Sequence, residues 1–208
     1  MIFLIDFWSN PNFIHMKNLF TLFCLLCFCI AFNVAAAQND NSENLSPLYD
    51  RLDSQLSNTD TIPDFRSKTN KLKLTGTIYK SDGVTPAKDV ILFIEQPDED
   101  GDFDLRRSGK DRYVFHRSWV KTDSDGKYTF YTFVPGNDRR YNQLQQIFPV
   151  IKEPTKKEYE IETYLFNDDP LLTKRCRKRI VKKSNITRIL EPKSLDGLLV
   201  AQRDIILK

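Results

Sequence analysis

The chain has 208 residues, and its 31 basic and 28 acidic side chains leave a net charge of only +3. That net charge is too small to imply a nucleic-acid partner. Four cysteines and two histidines in the whole sequence already limit disulfide scaffolds and histidine-rich metal sites.

The first segment has the layout of a targeting signal. Lys17 follows Met16, an apolar run extends from Leu19 to Val34, and Ala35, Ala36 and Ala37 precede Gln38. A positive start, a hydrophobic stretch and a small-residue cleavage site predict a cleavable secretory signal over residues 1–37, with Met16 as the working start. The apolar run is shorter than the roughly 20 residues of a membrane-spanning helix, so no span is expected after cleavage. The domain is expected to be secreted or extracytoplasmic, in a periplasm or on a cell surface. Cys24, Cys27 and Cys29 lie within the apolar run, without the small-residue box of a lipoprotein. Cleavage after Ala37 leaves Cys176 and His116 as the only residues of their kinds. Such a domain has no internal disulfide, depends on its core, and cannot build a two-histidine metal site.

Residues 38–70 are polar, rich in Asn, Asp and Ser, and are expected to form a flexible tether. Leu48, Tyr49, Leu52 and Leu56 could form at most one short amphipathic turn within it. From Lys71 the pattern changes to period two. Leu72, Leu74, Gly76 and Ile78 alternate with Lys71, Lys73, Thr75 and Thr77, as in a strand with one buried face. Asp82-Gly83 marks a turn, and Val90 to Glu95 reads as the next strand. An acidic turn covers Asp98 to Asp104, and Tyr113 to Lys121 is again strand-like. After Asp125-Gly126 comes Tyr128 to Val134, whose aromatic and β-branched residues give the strongest strand signal in the chain. Pro135-Gly136 ends it. Glu158 to Phe166 and Leu198 to Leu207 complete the set, and no helix is expected. The fold class is therefore all-β, an antiparallel β-sandwich over residues 71–208.

Particular motifs narrow this further. Leu74-Thr75-Gly76-Thr77-Ile78-Tyr79, Asp82-Gly83 and Pro86-Ala87 resemble the opening strand and turn of the intradiol ring-cleavage dioxygenases, the catechol and protocatechuate dioxygenase group. Lys121 to Gly136 is similar to the T-D-x-D-G-x-Y-x-F-x-T-x-x-P-G stretch of that family. Lys152-Glu153-Pro154, the segment from Tyr164 to Thr173, and Arg203 to Leu207 carry the resemblance through to the C-terminus. It implies a β-sandwich that opens catechol-type rings with O₂ at a ferric iron held by two tyrosines and two histidines, hard phenolates suiting Fe(III) and imidazoles completing the set.

On the same resemblance, the first tyrosine position after the acidic turn is Phe103. The second, shortly after Pro135-Gly136, has only Tyr141 as a displaced candidate. The two histidine positions are Gln146 and Phe148. These four residues are the expected remains of a degenerate site, with no catalytic, cofactor-binding or metal-ligating residue and no cofactor expected in place of the family's Fe(III). The former pocket could take a small aromatic or carbohydrate ligand or be filled.

Four other features bear on function. Asp98, Asp100, Asp102 and Asp104 alternate around Gly101, a pattern compatible with Ca²⁺, but lack the spacing of a calcium loop and read as a solvated turn. Asp123 and Asp125 read likewise. Lys174 to Lys183 concentrates positive charge and reads as a solubilising loop or as a surface for acidic polysaccharide, anionic lipid or a protein partner. Cys176 lies within it and is expected to be incidental. His116 is expected to be a half-exposed strand residue on the face of Val114, Ser118 and Val120, opposite Phe115 and Trp119. The leading functional expectation is an inactive dioxygenase-like binding or interaction module. The alternatives are an active non-haem iron dioxygenase with an altered site, and a cell-surface polysaccharide-associated or adhesion protein.

Overall fold

A computed structural model describes residues 46–183 and 186–208; the expected signal over 1–37 lies outside the described residues. The first strands in chain order are β1 (Thr59–Thr61), β2 (Lys71–Tyr79), β3 (Ile91–Glu95), β4 (Leu105–Ser108), β5 (Asp111–Val114), β6 (Arg117–Lys121) and β7 (Lys127–Phe133). There follow β8 (Gln146–Lys152), β9 (Tyr159–Glu160), β10 (Tyr164–Phe166), helix α1 (Lys174–Lys183), β11 (Ile189–Leu190), β12 (Lys193–Leu195), β13 (Leu198–Gln202) and β14 (Ile205–Ile206).

Two sheets form the sandwich. The first runs β1-β7-β2-β13-β12, with β14 also on β2; the second runs β11-β10-β8-β3-β6, with β9 also on β8. Alternation in β2 and β7 decides which faces meet. Leu72, Leu74 and Ile78 from β2, with Tyr128 and Phe130 from β7, point inward. They join Leu92, Ile94, Val120, Ile147 and Ile151 of the second sheet in one apolar core. Gly76 is small for a reason: a Cβ there would lie 2.0 Å from the Arg203 carbonyl oxygen, where the C-terminal strands run alongside β2. The Tyr128 hydroxyl donates to that carbonyl at 2.6 Å.

The antiparallel pattern is not complete. β1 pairs with β7, β13 and β14 with β2, and β10 with β11 in parallel. Three expected strands are also broken. The run at 113–121 splits into β5 and β6 at Phe115–His116, the run at 158–166 into β9 and β10, and the run at 198–207 into β13 and β14. Periodicity alone does not reveal these breaks: Phe115 and His116 form a bend, and 161–163 and 203–204 fall outside any strand.

The segment from Ser46 to Asn70 was expected to be flexible tether, but it packs on the domain. Leu48 is only 2 % exposed and packs with Phe93 and Trp119 on the outer face of the second sheet. Trp119 Nε1 donates to the Pro47 carbonyl at 3.2 Å. β1 extends the first sheet, and Asp60 within it accepts from Ser118 Oγ at 2.6 Å, the Trp119 N–H at 3.0 Å and Arg51 at 3.0 Å. Few apolar residues suffice here because a carboxylate and a sheet edge supply the rest of the attachment.

The basic run is a helix rather than a loop. Thr173 caps it, accepting the Cys176 N–H at its hydroxyl, 3.2 Å away, while its carbonyl accepts from Arg177. Arg and Lys are good helix formers. Among the described residues no helix is long and apolar enough to cross a membrane.

Candidate functional site

The acidic turn and β8 together position three of the four residues of interest. Asp98 Oδ1 accepts the N–H groups of Asp100 at 2.9 Å and Asp102 at 3.0 Å, closing the turn around Gly101, whose φ is 90°. Gly136 lies directly against it. A Cβ on Gly136 would come within 2.3 Å of the Glu99 carbonyl oxygen, and its N–H donates to Asp98 O at 2.8 Å. The Pro-Gly pair that ends β7 thus docks the end of that strand on the acidic turn, and the turn delivers Phe103 to the second sheet.

In β8 the side chains alternate. Ile147 and Ile151 enter the core, while Gln146, Phe148 and Val150 lie on the outer face. Phe148 sits opposite Glu95 of β3, which in turn faces Arg117 of β6. The rings of Phe103 and Phe148 are in contact, with centroids 5.7 Å apart and planes tilted by 47°. The two expected histidine positions therefore share one face, and the first tyrosine position meets the second of them. Tyr141 is not brought in. It is 74 % exposed, on a loop held by Arg140, which binds Asp138 at 2.9 Å and Asp102 at 3.1 Å. Buried Asp169 fixes both ends of that loop, accepting from Asn137 Nδ2 at 3.1 Å and from the Gln145 N–H at 2.8 Å.

The residues at these positions do not fit Fe(III). Phe103 and Phe148 have no donor atom, Gln146 offers only a neutral amide, and the one phenol of the four points to solvent. Among the described residues no three His, Cys, Asp or Glu side chains gather so as to hold a metal ion. The alternating aspartates are spent separately: Asp98 on its turn, Asp102 on Arg140 and Asp104 on Arg106 at 2.9 Å.

A pocket of about 110 Å³ opens beside Phe148, walled by Pro149, Val150 and Ile161, with Glu95, Glu160 and Thr163 at its polar edge. It is smaller than the roughly 150 Å³ that encloses a benzene ring, so a substituted aromatic could not be enclosed there. Burial raises the Glu95 pKa; Glu160 adds to the rise and Arg117 opposes it. The resemblance was enough to single out Phe148, although no strand was expected over β8, but no sequence signal joined Glu95 and Glu160 to it, because that meeting depends on strand order.

His116 corrects another expectation. It is 3 % exposed at the bend between β5 and β6, with its ring edge-on to Phe133 at 5.0 Å. Its Nδ1 is buried and has no hydrogen-bond partner among the described residues. Burial lowers its pKa, nearby Lys68 lowers it further, and Asp104 and Asp98 oppose the shift. Neutral and enclosed, it serves as packing. Trp119 is buried under Leu48 on the outer face.

At the level of sequence, no protein-family model and no curated protein matches the chain. Solved structures do. The dioxygenase domain of a dioxygenase–carbohydrate-binding protein fusion from a cellulolytic Streptomyces species is 18 % identical with a TM-score of 0.52, over 68 % of this chain and 81 % of that one. The 3-chlorocatechol 1,2-dioxygenase of Rhodococcus opacus is 16 % identical with a TM-score of 0.54, over 70 % of this chain and 63 % of the enzyme. Catechol 1,2-dioxygenase from an Acinetobacter species is 13 % identical with a TM-score of 0.53, over 73 % of this chain. The chain spans only 57 % of that last enzyme. Identities this low speak for architecture, and the architecture agrees with the motifs: the chain folds as a β-sandwich of the intradiol ring-cleavage dioxygenase type.

Proposed function

We propose that this protein is an exported, catalytically inactive relative of the intradiol dioxygenases that acts as a binding or interaction module. The observation that carries the reading is the contact between the rings of Phe103 and Phe148, the two positions at which the resemblance would call for a phenolate and an imidazole ligand. Replacing two donors by two phenyl rings removes the anionic oxygen that stabilises ferric iron and fills part of its space with hydrocarbon. Gln146, on the same face, lacks the basicity of imidazole. With a neighbouring pocket of only about 110 Å³, recognition falls to the surface rather than to an enclosed aromatic ring. No cofactor is required on this reading.

The test is oxygen uptake with catechol after incubating the purified domain with ferrous or ferric iron. No uptake above the iron-only control is expected. Uptake that a chelator abolishes would contradict the proposal. Export is checked separately by N-terminal sequencing of extracytoplasmic protein, which should begin at Gln38.

A further inference from the structure

Helix α1 is built against the usual electrostatic preferences. It contains no acidic residue, and Lys174, Arg175 and Arg177 stand in its first turn, at the positive end of its own dipole. Lys174, Lys178 and Lys182 follow one another at i, i+4 and i+8, and Arg175 and Arg179 form a second i, i+4 row beside them. All five are exposed. Like charges at that spacing destabilise a helix by about 0.2–0.5 kcal/mol per pair. None of the ion pairs formed among the described residues involves these five side chains. A solubilising surface mixes its signs, whereas this one does not.

The helix is also held in place. On its other side Cys176 and Ile180 are partly buried, and Arg177 turns inward to bind the carbonyl and the side-chain oxygen of Asn167. That contact separates Arg177 from the outward rows and anchors the helix to the loop after β10. The result is a fixed ladder of five cations, successive members of a row being about 6 Å apart along the axis.

We propose that this face of α1 binds a linear acidic polysaccharide, sulfated or carboxylated, which deepens the binding-module reading and rests on it. Charge complementarity selects a polyanion, since five cations with no ion pair among the described residues gain most from a ligand carrying regularly spaced negative groups. Val181 is the one apolar side chain well exposed on the helix, so the helix lacks the broad apolar face with which an interfacial helix enters lipid. It carries no aromatic residue on which bases could stack, which favours a polysaccharide over single-stranded nucleic acid.

The experiment measures binding of the domain to heparin, single-stranded DNA and anionic phosphatidylserine vesicles at two salt concentrations. It compares wild type with a variant carrying Lys174→Gln, Arg175→Gln, Lys178→Gln, Arg179→Gln and Lys182→Gln. A matched control neutralises Lys80, Lys88, Lys110, Arg112 and Lys157, all exposed elsewhere. A two-site reversal, K178E with K182E, serves if the first variant loses its fold by circular dichroism. The proposal expects salt-sensitive heparin binding that falls at least tenfold in the helix variants and less than twofold in the control. It is overturned by no heparin binding, by an equal loss in the control, or by DNA or vesicles binding as tightly as heparin. Oxygen uptake on the same preparations separates the two ideas, because iron-dependent catechol turnover would sink the inactive-module reading whatever the helix binds.

Discussion

Two turns in this molecule are built alike, residue for residue. In one, Asp98 Oδ1 accepts the N–H groups of Asp100 and Asp102; in the other, Asp123 Oδ1 accepts those of Asp125 at 3.0 Å and Lys127 at 2.9 Å. Gly101 and Gly126 each donate back to the first aspartate's carbonyl with φ of 90° and 67°. Burial works against ionisation of Asp123, yet the N–H groups of Lys127 and Asp125 and the Asn58 amide outweigh it and hold the carboxyl below its ordinary pKa. Five residues after the first aspartate stands an aromatic ring in both cases. After the second turn it is Tyr128, wholly buried, with its hydroxyl committed to the Arg203 carbonyl. After the first it is Phe103, partly exposed and resting on Phe148. The same local chemistry thus serves the core once and the outer face once. At the core position the hydroxyl is part of the packing, whereas on the outer face it can be lost with the fold intact.

Substitutions at the two turns should break that symmetry in different ways. The largest effect is expected for Gly126→Ala, which combines a positive φ with a Cβ placed 2.5 Å from the Ile78 carbonyl oxygen. A loss on the order of 3 kcal/mol by denaturant unfolding is expected. Next, Leu48→Ala should cost about 2–3 kcal/mol, because Leu48 seals Phe93 and Trp119. An unchanged midpoint would mean that residues 46–70 are a tether after all. Phe103→Ala should cost only about 1 kcal/mol, since it removes one half-exposed ring from a pair.

The smallest effect is a pH dependence. Because the folded-state pKa of His116 lies below its ordinary value of 6.5, its contribution is fully present above pH 6.5. It is lost as the pH falls through the folded pKa, since the unfolded chain takes up the proton first. Between pH 6.5 and 5, wild type should lose stability relative to His116→Phe, by about 1 kcal/mol or less. Parallel slopes for the two proteins would remove His116 from the account.

How far the sequence discloses this molecule depends on what each residue answers to. The β2 and β7 strands, their turns and the inward face of the core are legible because period two and Asp-Gly punctuation are local properties. So are the missing donor atoms of Phe103 and Phe148 and the neutral amide of Gln146, which only needed their positions along the chain. The attachment of Leu48 and Asp60 was not legible, since both act through partners more than forty residues away, at Phe93, Ser118 and Trp119. The burial of His116 depends on a bend between two extended segments, and the helical state of 174–183 on a Thr173 cap that charge counting overlooks.

The central claim concerns the metal. Its most direct measurement is the iron content of purified domain after incubation with excess Fe(III) and desalting, read with the visible spectrum. The account predicts far less than one iron per chain and no phenolate-to-iron charge-transfer band. Stoichiometric iron with that red-brown absorption would contradict it, and would require a donor set that Phe103, Gln146 and Phe148 do not supply.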